Sequence, residues 1–93
     1  MKRVHIFISG IVQGVGFRHF VEENAKIRNV KGYVKNIYDG ERAGQVEVVF
    51  EGEDKVLEYM IKLCKTGPLF SHVENVDVNE EEFKGEYQDF WKY

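Results

Sequence analysis

The sequence holds one cysteine, Cys64, and one proline, Pro68, among its 93 residues. A single thiol excludes an intramolecular disulfide framework and a zinc site built on several cysteines. The lone proline follows Gly67, where the pair punctuates a helix end, so there is no Pro-rich linker. Internal repeats and low-complexity tracts are absent as well. No apolar run approaches the roughly 20 residues that a membrane-spanning helix needs. The start, Met1-Lys2-Arg3-Val4-His5-Ile6, is basic, but polar residues interrupt it by Ser9 and leave no signal-peptide core. From these absences a cytoplasmic protein with no membrane partner is expected. Positive charge is also in short supply: 13 Lys and Arg stand against 16 Asp and Glu, for a net charge of −3. A mildly acidic chain suits phosphate backbones poorly, and no nucleic-acid partner is expected.

What is present is an ordinary globular balance, 43% hydrophobic and 31% charged. At this length the whole chain, residues 1–93, reads as one domain with one core.

Val4, Ile6 and Ile8 alternate with His5, Phe7 and Ser9, the pattern of a half-buried strand. Gly10 to Gly16 is too glycine-rich to continue it. From Phe17 the period changes, and Phe17, Phe20, Val21 and Ala25 fall at helical spacing, with Asn29 as the stop. Residues 32–37 read as a second strand. Asp39-Gly40 signals a turn, and a third strand runs from Gln45 to Glu51 with Val46, Val48 and Phe50 on one face. Val56, Leu57, Met60, Ile61, Leu63 and Cys64 form the stripe of a second helix, behind acidic Glu53 and Asp54. Val76 and Val78 give a fourth strand, with Val73 of the wrong parity and hence placed in the approach to it. The aromatic tail, Tyr87 to Tyr93, can add a short edge strand. The order β-α-β-β-α-β predicts an α+β, ferredoxin-like sandwich: an antiparallel sheet with both helices on one face.

The segment with chemistry in it is Gly10-Ile11-Val12-Gln13-Gly14-Val15-Gly16-Phe17-Arg18, between a strand end and a helix start. Unpaired N–H groups collect at the first helical turn, and the helix dipole favours negative charge there. Glycines let such a loop curl its N–H groups inward around an anion. Arg18 adds a planar fork of donors suited to phosphate oxygens. The segment is neither a Walker loop nor a dinucleotide loop, since no Gly-Lys-Ser/Thr follows and the third Rossmann glycine is missing. On the residues alone, an oxyanion site and a plain glycine turn beside a surface arginine stay equally open.

The same segment resembles the signature of the acylphosphatases, Gly-x-Val-Gln-Gly-Val-x-Phe-Arg. All seven fixed positions are present, at Gly10, Val12, Gln13, Gly14, Val15, Phe17 and Arg18. A second family signature, Gly-aromatic-Val-basic-Asn, is similar to Gly32-Tyr33-Val34-Lys35-Asn36. Gly44-Gln45-Val46-Glu47, Gly52 and Gly67-Pro68 also fit, and the likeness thins only in the tail. The resemblance implies an enzyme that hydrolyses the carboxyl-phosphate anhydride of acyl phosphates without metal or cofactor, releasing inorganic phosphate. It implies that Arg18 binds the substrate phosphate, that the amides of Gln13, Gly14, Val15, Gly16, Phe17 and Arg18 cradle it, and that Asn36 holds the attacking water. The short chain is expected to work alone, as a monomer. The departure from the family is the longer hairpin from Tyr38 to Gly44, expected to be a surface insertion without contact to the site.

Other candidates carry less. His19 with Glu22 or Glu23 shares a helix face, but no third ligand is in sight and a solvated face is expected. His5 and His72 are isolated, Cys64 belongs to the core, and Glu80-Glu81-Glu82 reads as a solvated turn. Two rival functions remain: a phosphate-binding module without turnover, and an RNA-binding domain of the same fold. The second needs exposed aromatics on the central strands. The outward residues of the third strand, Gln45, Glu47, Val49 and Glu51, are acidic and non-aromatic.

Overall fold

In the computed structural model, which describes residues 1–93, apolar alternation and strand parity agree. Strand β1 (Lys2–Ile11) buries Val4, Ile6 and Ile8 on its inner face. Helix α1 (Phe17–Ile27) follows and buries Phe17, Val21 and Ala25. It stops at Asn29, whose φ of 56° is left-handed, a conformation that asparagine tolerates better than most residues. Strands β2 (Lys31–Asn36) and β3 (Val46–Gly52) form the hairpin. Helix α2 (Asp54–Thr66) buries Leu57, Met60 and Cys64, and Gly67 closes it by donating to the Leu63 carbonyl at 2.8 Å. Strands β4 (His72–Glu81) and β5 (Phe90–Lys92) complete the chain.

The sheet order is β4-β1-β3-β2-β5. The first four strands pair antiparallel, as the element order predicts, whereas β5 lies parallel to β2, so the sheet is mixed. The inner-face residues of the strands and the stripes of both helices form a single core of 16 buried residues. Each fully buried aromatic or aliphatic side chain there contributes roughly 1.5–3 kcal/mol.

Several expectations are corrected by the geometry. Val73 is a core-facing residue of β4, not part of its approach. The pairing steps from Ser9–Asn75 to Gly10–Val73, so Glu74 is an extra residue in a bulge and the parity of β4 flips there. Glu80 and Glu81 lie in β4 rather than in a turn, and Glu81 accepts from Arg3 Nε at 2.9 Å. The outer face of β3 is partly closed: Val49 is buried, and so is Glu51, which accepts the N–H groups of Lys84 and Gly85 at 3.1 and 3.2 Å. The segment 82–89 therefore crosses the sheet where an RNA-binding domain would stack bases.

That outer face carries a polar network. Arg3 pairs with Glu81, Glu86 and buried Glu51. His5 is not isolated, because its ring lies 2.6 Å from a Glu47 oxygen and 3.2 Å from one of Glu81. Tyr33 donates to Glu47 at 2.8 Å. Burial and this bond push the Tyr33 phenol above its usual range.

Candidate active site

The glycine loop is pinned from both ends by apolar side chains. Val12 and Phe17 are buried in the core and Val15 packs partly against it. Between these anchors Gly14 and Gly16 take left-handed φ values of 73° and 80°. A Cβ at either would meet nothing within 4 Å; glycine is needed there for backbone conformation rather than for space. Gly16 also sits at the N-cap of α1, where no side chain caps the helix and no acidic residue occupies the first turn. Across residues 13–19, no backbone N–H donates to a protein acceptor. The loop and the helix start thus present a run of unpaired donors with the positive end of the helix dipole behind them.

Strand parity brings the second half of the site to the same place. Asn36 has the parity of buried Gly32 and Val34, so it points to the helix side of the sheet at the very end of β2. Lys92 pairs with Val34 in β5 and shares the parity of buried Phe90. Because β2 and β5 run parallel, their ends emerge side by side.

Val12, Gly14, Gly16, Phe17, Arg18, His19, Asn36 and Lys92 line one cavity of about 230 Å³. It gathers Arg18, Asn36 and both loop glycines. Two further predicted residues lie outside it. Val15 packs inward, and Gln13 turns its side-chain amide to the hairpin, donating to the Ile37 and Gln45 carbonyls at 2.9 Å each. Arg18 donates through Nη1 to the main-chain oxygen of Tyr93 at 2.6 Å, which engages one of the five N–H donors of the guanidinium. Asn36 donates from Nδ2 to the Tyr38 hydroxyl at 3.3 Å, and its Oδ1 is buried without a partner. The hairpin that was expected to stand clear of the site therefore touches it.

Lys92 is a lining residue that spacing did not single out, and His19 lines the cavity although its spacing was weighed only for a metal pair with Glu22 or Glu23. His19 lies on an exposed face, 3.0 Å from Glu23, and its place beside Arg18 was the available signal. Lys92 had none, since the parallel pairing of the tail is not written in its composition. The cavity's side chains offer guanidinium, ammonium, imidazole and amide groups and no carboxylate. No group of three or more His, Cys, Asp or Glu side chains is arranged so that it could hold a metal ion. Such a donor set fits a small anion with several oxygens, not a divalent cation that prefers carboxylate oxygens.

The family described as Acylphosphatase matches residues 4–91. An acylphosphatase of Caldanaerobacter subterraneus subsp. tengcongensis is 42% identical over 92 residues, covering 99% of this chain and 98% of the relative. The crystal structure of acylphosphatase from Bacillus subtilis superposes with a TM-score of 0.89 at 33% identity, covering 100% of this chain and 99% of that one. Full-length HypF, in its phosphate- and nucleotide-bound form, contains a similar region at a TM-score of 0.85 and 39% identity, which covers 99% of this chain and 12% of HypF.

Proposed function

Given that the chain belongs to the acylphosphatase family and so hydrolyses acyl phosphates, we propose that it does so by direct attack of a positioned water on phosphorus, without metal. The observation that carries this reading is the convergence of the loop glycines, Arg18 and Asn36 on one small cavity. In it, Arg18 and the amides of residues 13–18 hold the phosphoryl oxygens, and Asn36 holds the water.

The chemistry asks for little more. The leaving group is a carboxylate whose conjugate acid has a pKa of about 4, so it departs with the electron pair of the P–O bond and needs no general acid. As the water oxygen bonds to phosphorus, one of its protons passes to a phosphoryl oxygen of the substrate itself. The products are a carboxylate and inorganic phosphate. What the protein supplies is charge stabilisation on the phosphoryl oxygens and placement of the nucleophile. Asn36 suits the second task because an amide both donates and accepts.

The reading takes residues 1–93 as one acylphosphatase domain acting as a monomer in the cytoplasm. An unpaired, buried Cys64 is in keeping with a reducing compartment. Hydrolysis of an aromatic acyl phosphate such as benzoyl phosphate in excess EDTA tests the account. Wild-type turnover is expected to be indifferent to the chelator, and Arg18→Ala to lower it at least about 100-fold. A chelator-sensitive wild type, or a folded wild type with no turnover, contradicts it; the second result would leave a phosphate-binding loop without chemistry.

A further inference from the structure

The longer hairpin meets the site through one side chain. Tyr38 is 74% exposed, yet its hydroxyl accepts the hydrogen bond from Asn36 Nδ2 at 3.3 Å. The hairpin that carries it is fixed in place. Ile37 donates to the Gln45 carbonyl at 2.9 Å and Gly44 to the Ile37 carbonyl at 2.8 Å. The Gln13 side chain bonds both of those carbonyls from the loop side. Arg42, nearer the tip, donates to Asp77 at 2.8 Å and stacks 3.8 Å over the Phe7 ring. The Tyr38 hydroxyl is thus presented by an anchored turn.

A second observation concerns the other edge of the same amide. Asn36 Oδ1 is buried and accepts from no protein group. A buried carbonyl oxygen left unpaired is unfavourable, and amides normally rotate to avoid it. Here one edge of the amide is engaged by a hydroxyl from outside the strand, and the acceptor edge is left over. We infer that Tyr38 is a positioning residue: its hydroxyl holds the Asn36 amide in the orientation that reserves Oδ1 for the attacking water. The bond contributes to geometry rather than to fold, since a single contact between a tyrosine this exposed and a half-buried asparagine adds little stability. Reaction rates respond steeply to such alignment.

This inference rests on Asn36 as the holder of the water, and the experiment separates the two. Tyr38→Phe, Asn36→Ala and the double variant are compared for kcat and KM on benzoyl phosphate and for inhibition by inorganic phosphate. Tyr38→Phe is expected to lower kcat about three- to ten-fold with KM, phosphate inhibition and Tm essentially unchanged. In the Asn36→Ala background it is expected to have no further effect. A wild-type kcat in Tyr38→Phe while Asn36→Ala is impaired overturns the role of Tyr38 alone. An equal further loss in the double variant also overturns it, because the hydroxyl would then act on something other than Asn36. A wild-type kcat in Asn36→Ala overturns both readings.

Discussion

The side-chain amide of Gln13 donates to the main-chain carbonyl of Ile37 at 2.9 Å. That bond ties the glycine loop to the residue that follows Asn36, so the two halves of the cavity share one brace. Its twin to the Gln45 carbonyl secures the other rim of the hairpin.

Gln13→Ala is therefore expected to loosen both halves together. Inhibition by inorganic phosphate should weaken several-fold, because the loop amides lose their fixed geometry. Stability should fall by about 1–2 kcal/mol, since both carbonyls still accept a backbone N–H within the hairpin, from Gly44 and from Ile37. Denaturant unfolding combined with phosphate inhibition checks this, and unchanged inhibition would show that the brace is not needed by the loop.

The bulge opposite Gly10 is a second point of sensitivity. Gly10 has φ 124°, and a Cβ there would overlap the carbonyl oxygen of His72. Gly10→Ala should cost more than about 2 kcal/mol, as the strand pairing cannot shift without moving Val73 out of the core. Denaturation midpoints give the answer; a loss below about 0.5 kcal/mol would mean that β4 re-registers freely.

Much of this was legible in the sequence, for identifiable reasons. Alternation of Val4, Ile6 and Ile8 and the helical stripes around Val21 and Met60 fixed element types, because burial on one face imposes those periods. The glycine loop and Asn36 were legible through the two family signatures. Hidden features were those that depend on pairing between distant segments. The bulge at Glu74 reversed the parity of Val73, and the parallel docking of the tail brought Lys92 to the cavity. The folding of residues 82–89 across the sheet turned Glu51 from an outward charge into a buried one, bonded to Arg3 and to two backbone amides. The contact of Tyr38 with Asn36 follows from hairpin geometry that the residues between Asn36 and Gln45 do not spell out.

The outer-face network predicts how stability changes with pH. Burial alone would raise the Glu47 pKa, but the bonds from Tyr33 and His5 favour the carboxylate and leave it below the usual value. For Glu81 the bond from Arg3 is the largest influence and also lowers it. The unfolded chain then binds protons at higher pH than the folded one. The stabilisation is fully present above the ordinary glutamate pKa of about 4.3 and is lost as pH falls through and below it. Midpoints measured from pH 7 to pH 3 should drop steeply below about pH 4.5, and Glu47→Gln should flatten that drop. An identical profile in the variant would exclude Glu47 from the acid sensitivity.

Cys64 is buried in the core, and burial pushes its thiol up to about 12. A thiol-specific disulfide reagent at pH 8 should leave the native protein and its activity untouched and should label the residue only on unfolding. Rapid labelling without denaturant would show that α2 opens far more readily than its packing implies.

The central claim is a division of labour in which Arg18 meets the phosphate in ground and transition states while Asn36 serves the water. The most direct test measures competitive inhibition by inorganic phosphate alongside kcat for Arg18→Ala and Asn36→Ala. Arg18→Ala should lose both properties, whereas Asn36→Ala should lose kcat and keep phosphate inhibition within about two-fold. Parallel loss of both properties in Asn36→Ala would contradict the account.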